Sequence, residues 1–93
     1  MEQASAVREI AQELNDGDRN GRSTRLARLM GSSVASIRSW GAAGESDQRK
    51  RAMSPTARRL LFMLLALKRS GHDVEALRSA AHRLEQDYLG EED

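Results

Sequence analysis

The chain contains no cysteine. A disulfide framework and cysteine-based zinc sites are therefore excluded, and the composition fits a reducing cytoplasm. Aromatic residues are scarce: Trp40, Phe62 and Tyr88 are all there are. β-branched residues are few and scattered. No stretch alternates apolar with polar as a half-buried strand does, so no sheet is expected. The longest apolar cluster, Leu60 to Leu67, is about half of what a membrane span requires. The N-terminus, Met1-Glu2-Gln3, carries acid where a signal peptide would carry base. The expectation is a soluble, cytoplasmic protein. Glycine-rich phosphate loops, nucleophile arrangements and paired carboxylates are also missing. His72 and His82 have no acids at a spacing that suggests a metal site or a catalytic pair. Neither enzyme activity nor a cofactor, a metal or a small-molecule effector is expected.

What the chain has is helix-forming sequence and an uneven distribution of charge. Its 93 residues fit one small domain of limited core volume, for which self-association is a natural source of extra stability. The net charge of +1 conceals an asymmetry. Residues 1–18 hold one arginine against five acids, residues 19–69 hold twelve Arg or Lys against two acids, and residues 70–93 hold two arginines against seven acids. A basic centre between acidic ends suits a polyanionic partner at the centre.

The pattern predicts an all-α fold of about five helices. Val7, Ile10, Ala11 and Leu14 form one apolar stripe, giving a helix from about Gln3 to Leu14. Asn15-Asp16-Gly17 and Asn20-Gly21 then break it. A second helix runs from near Ser23 to Met30 and stops at Gly31, a residue free to turn left-handed. A third starts after Ser33 as N-cap and ends around Trp40 or Gly41. A polar segment from Ala42 to Met53 is the longest loop candidate. The fourth helix has Ser54 as N-cap and Pro55 at its first position, and it ends near Arg69. It is apolar around most of its girth, so it should be covered on several sides. The fifth follows Asp73, with Val74, Leu77, Ala81, Leu84 and Tyr88 forming a seam for another helix.

Two short helices joined by a tight turn at Gly31 have the geometry of a helix-turn-helix. Ala27 is small enough for the third helix to cross closely, Gly31 tolerates positive φ in the turn, and Ile37 and Trp40 plug the core from one face. The run Leu26-Ala27-x-x-x-Gly31-x-Ser33-x-x-x-Ile37-x-x-Trp40-x-x-x-Gly44 resembles the motif of lambda-repressor-like (Xre-type) regulators, among them small phage, antitoxin-type and anti-CRISPR-associated repressors. Ser54-Pro55 with Leu60-Leu61 is similar to the helix that often follows the motif. The family often has Gln where this chain has Ser23, an aliphatic residue where it has Ser32, and Glu where it has Gly41.

The resemblance implies that Val34, Ala35, Arg38 and Ser39 face outward as base-reading positions. Arg38 can donate two hydrogen bonds to guanine, and Val34 and Ala35 can touch thymine methyls. Ser33, Ser36 and Ser39 stand at or beside the reading helix, within reach of bases or phosphates. Ser23, Thr24 and Arg25 open the second helix, whose amides attract a phosphate. Arg49, Lys50 and Arg51 would hold backbone phosphates. Residues of about 3–53 then form the DNA-binding part and residues of about 54–89 the core and dimerisation helices of a single domain. The expected function is sequence-specific binding of a double-stranded DNA operator, as a repressor and a homodimer formed through the fourth and fifth helices. The alternatives are an antitoxin-type protein bound to a toxin partner and a DNA-binding module of a packaging or partition complex.

Overall fold

The computed structural model describes residues 1–42 and 51–90. The described residues form five helices and no strand: α1 (Gln3–Leu14), α2 (Arg22–Met30), α3 (Val34–Trp40), α4 (Pro55–Arg69) and α5 (Val74–Leu89). None of them is long and apolar enough to cross a membrane. Serine caps α3 and α4 as their sequences require: Ser33 Oγ accepts from the Ser36 N–H at 3.0 Å, and Ser54 Oγ accepts from the Ala57 N–H at 3.1 Å. At the head of α5, Asp73 accepts from both Glu75 and Ala76. Each cap satisfies backbone donors that the first turn of a helix leaves without an intrahelical partner.

One continuous core joins α1 to α4. Val7, Ile10, Ala11 and Leu14 of α1 meet Leu26, Ala27 and Leu29 of α2, Ile37 of α3, Met53, and Leu61, Leu64 and Leu65 of α4. Leu14, Leu26, Leu61 and Val7 are the most deeply enclosed. Each contributes about 1.5–3 kcal/mol by leaving water. The DNA-binding part expected from the sequence and the helix after it therefore share this core. α4 supplies the floor on which α1 and α2 rest.

Two expectations about packing change. α4 is covered on one side only. Leu61, Leu64 and Leu65 are buried, but Phe62 and Met63 remain 46% and 52% exposed. The reason lies in α5, which touches the body only near its start. Val74 is buried and residues 75 and 78–80 are half-buried, whereas every residue from 81 to 90 is exposed. Among the described residues, the second half of α5 thus extends past the body and covers nothing. Trp40 also plays a lesser part than expected. Ile37 is the buried plug of α3, while Trp40 stands half-buried at the margin of the core.

Polar contacts between distant residues hold this arrangement. Gln3 at the start of α1 donates to the carbonyls of Trp40 (3.1 Å) and Arg51 (2.7 Å), and its Oε1 accepts from the Met53 N–H (2.9 Å). One side chain thereby ties α1 to the end of α3 and to the lead-in of α4. Between α1 and α2, Asn15 Nδ2 donates to the carbonyls of Asp18 and Asn20, which fixes the turn.

Candidate nucleic-acid interface

The α2–turn–α3 pair is built by a glycine turn. Gly31 has φ +71°, and the Ser32 N–H reaches back 2.9 Å to the Ala27 carbonyl. That six-to-one bond closes the end of α2 and redirects the chain within two residues. Ser33 then starts α3. Ala27 and Ile37 are both buried where the two helices meet.

α3 presents a mixed face. Ala35 and Arg38 are exposed, and Ser36 and Ser39 are half-exposed. Val34 was expected to face outward, but it is half-buried and packs against the core. It stands three residues before Ile37, one turn away on the same side of the helix. Ser33 is exposed, but its hydroxyl is occupied: it caps the helix and lies 3.0 Å from Ser36 Oγ.

At the head of α2, Thr24 is exposed and Ser23 is half-exposed. Arg25 turns instead to the back of the helix, where it pairs with Asp16 and Glu75, each at 3.3 Å. Of the three basic residues expected to grip phosphates after α3, Arg51 is exposed, and Arg49 and Lys50 lie outside the described residues, as does Gly44 of the motif.

The structure adds two cations that the motif does not mark, Arg8 and Arg22. A cleft of about 270 Å³ opens between α1, the head of α2 and the end of α3. Arg8, Arg22, Ser23 and Arg38 line it, above Val7 and Ile37. No carboxylate lines the cleft among the described residues. Arg8 Nη1 donates 2.6 Å to the Gly41 carbonyl, where a cation meets the negative end of α3. Arg22 is steadied by Gln12 Oε1 at 3.2 Å. Gly21 caps α2 without a side chain, and Arg22 and Ser23 bring the first turn of α2 to the cleft wall. Arg8 had a signal in the sequence. It follows Ala4 by four residues and precedes Ala11 by three, which places it at the edge of the buried face of α1.

The acids gather elsewhere. Glu13 takes both ends of the Arg69 guanidinium at 2.8 Å, and Asp16 takes Lys68 at 2.6 Å. Glu75 receives Arg28 at 2.7 Å, Arg25 at 3.3 Å and Arg78 at 3.4 Å. All three carboxyls are held below their ordinary values. The chief cause is the hydrogen bond from Arg69 for Glu13, from Lys68 for Asp16 and from Arg28 for Glu75. Folding thus matches Glu13, Asp16 and Glu75 with cations of α2, α4 and α5, and none of these three acids lines the Arg8–Arg22–Arg38 cleft. Among the described residues no three His, Asp or Glu side chains cluster as a metal cage would need.

The class these features define is a small all-α chain that displays a short helix beyond a glycine turn, with arginines at its base. Comparisons with family models, with characterised proteins and with solved structures return no match.

Proposed function

We propose that the protein is a cytoplasmic, sequence-specific regulator that binds double-stranded DNA as a repressor, with α3 in the major groove. The observation that carries this reading is the α2–α3 pair itself: a short exposed helix bearing Ala35 and Arg38, held at a glycine turn above a cleft of three arginines without acid. Arg38 reads base edges, with a bidentate pairing to guanine worth about 1–3 kcal/mol of discrimination. Ala35 contacts apolar base edges, and Ser36 and Ser39 add hydrogen bonds. Arg22, Ser23, Thr24 and Arg51 hold phosphates, which gives affinity and register without sequence choice. One short helix reads few base pairs. Two copies related by a two-fold would bind an inverted repeat with half-sites about one helical turn apart, roughly 34 Å.

Selection of duplexes from a random DNA library, with wild type and Arg38→Ala in parallel, tests the reading. The expected result is one enriched inverted repeat whose preference relaxes at a single position per half-site in Arg38→Ala. Identical enrichment by both proteins would remove Arg38 from the reading surface. No binding even at low salt would remove the function.

A further inference from the structure

We propose that the exposed half of α5 pairs antiparallel with α5 of a second copy of this chain, through Leu77, Ala81, Leu84 and Tyr88. This gives the homodimer of the proposed function a definite interface, and it stands or falls independently of DNA binding. Among the described residues nothing covers this face. Leu77 is 40% exposed, Leu84 55% and Tyr88 84%, and the body of the molecule ends before residue 81. A helix segment without tertiary packing is marginal in water, so an occupant of this face would also stabilise the helix that carries it.

The spacing and charge of the face select a second copy as that occupant. The intervals between seam residues are four, three and four, a series identical to its own reverse. A reversed α5 therefore meets the seam in register: Leu77 faces Tyr88 of the second copy, and Ala81 faces its Leu84. The central layers then set a small residue against a large one. A parallel pair would instead stack Ala81 on Ala81 and leave that layer underfilled. Charge agrees with the reversal. Arg78 and Glu85 each follow a seam leucine by one residue, on the same flank. When one helix is reversed, like flanks meet, so Arg78, which pairs with Glu75 of its own chain at 3.4 Å, also comes to the side of Glu85 of the second copy, and the two-fold repeats the approach. The contact area is a few side chains from each copy, below the roughly 800 Å² per partner of a standard interface. The association is therefore expected to depend on concentration.

The absence of cysteine from the chain makes the test clean. Leu77→Cys and Tyr88→Cys are prepared as separate proteins, then oxidised alone and as an equal mixture, and the covalent dimers are counted on a non-reducing gel. Antiparallel pairing predicts cross-linking in the mixture only. Identical positions then lie about eleven residues apart along the pair, roughly 16 Å, beyond the reach of a disulfide. Sedimentation equilibrium of the cysteine-free chain is expected to show a monomer–dimer equilibrium. Leu84→Asp should weaken it by about tenfold or more, because an exposed leucine is lost only from the interface. Self-cross-linking of each variant alone would overturn the antiparallel arrangement. A monomer at every attainable concentration, with no cross-link in the mixture, would overturn the interface. Cross-linking as expected with no DNA selected would refute the DNA reading alone.

Discussion

Gly31 offers the sharpest test of how the α2–α3 pair is held. Its φ of +71° lies in the left-handed region, while the space around it is open: a Cβ added there meets nothing within 4 Å. Replacement by alanine therefore introduces backbone strain and no clash. The expected cost is about 1–2 kcal/mol, the penalty of the left-handed region for a residue with a Cβ. For a domain of this size that lowers the thermal midpoint by about 4–16 °C. Gly31→Asn should recover about half, since asparagine tolerates this conformation through local hydrogen bonding. Gly41 is the control. Its φ is −92°, and an added Cβ would stand 3.4 Å from Arg8 Cγ, an ordinary contact. Gly41→Ala should stay within about 1 kcal/mol of wild type, its lost chain entropy in the unfolded state working in its favour. Urea unfolding of the four proteins at one fixed concentration gives the ranking. Equal midpoints for Gly31→Ala and wild type would refute the strain argument. An equal loss in Gly31→Ala and Gly41→Ala would show that φ is not what separates the two sites.

Four further outcomes follow from the contacts described. Leu61→Ala, at a position 1% exposed on the floor of the core, should destabilise the fold by about 2–5 kcal/mol, read by urea midpoint. Gln3→Ala removes one donor group and one acceptor that serve three backbone partners, and should cost about 1–2 kcal/mol while shifting the Trp40 fluorescence, since the Trp40 carbonyl is one of the three. Glu13, Asp16 and Glu75 are held below their ordinary values in the folded chain. Their stabilisation is therefore complete above the unfolded carboxylate range near pH 4 and disappears as pH falls through the lower folded values. Thermal midpoints should fall steadily below about pH 4, and Glu75→Gln should flatten that slope; an unchanged slope would refute its part. If α3 reads DNA, Arg22→Ala should reduce the slope of log affinity against log salt by about 0.9, the share of one phosphate. Arg69→Ala, whose guanidinium is engaged by Glu13, should leave that slope unchanged.

The sequence made the helices legible because helix signals are local. The stripe of α1, the serine caps of α3 and α4, the Asp73 cap of α5 and the glycine stop of α2 each involve residues within about one or two turns. All five recur in the structure. Periodicity shows which face is apolar but not what will cover it: it predicts cover for α4 on several sides, from the chain or from a second copy, and within the described chain Phe62 and Met63 stand exposed. It also misplaced Val34. On a helix of seven residues the buried stripe is wide relative to its length, and one turn separates the core side from the open side. Long-range polar contacts left no comparable trace. Gln3 meets its partners 37 to 50 residues away, and Arg25 meets Glu75 across 50. No spacing rule joins such positions before the helices are packed. Position along the chain therefore places Arg25 with the phosphate-facing residues of α2 and leaves Arg8, at the edge of the buried face in an acidic segment, unmarked.

The charge pattern has a consequence for how a reading surface and a second copy could be kept in register. Read along the chain, the acids of the two ends look like a means of keeping the termini away from a polyanion. Folded, they do something more specific. Glu75 lies at the start of α5 and gathers Arg25 and Arg28 from the back of α2, while Val74 beside it is buried in the core. The base of α5 is thus fastened to the helix that carries the glycine turn. The direction in which the rest of α5 leaves the body is set relative to α2, and through the turn relative to α3. If two copies pair along α5, the distance between their α3 helices is fixed by this junction rather than by the flexibility of a linker. Glu75→Gln keeps the shape of the side chain and removes its charge. The pairing seam is untouched by that change, so dimer mass should be preserved. What should broaden is the tolerated spacing between half-sites in a selected DNA pool, because the angle at the base of α5 is less firmly held. A variant that selects the same single spacing as wild type would show that the packing of Val74 alone sets the angle, and that the ion pairs contribute to stability without contributing to geometry.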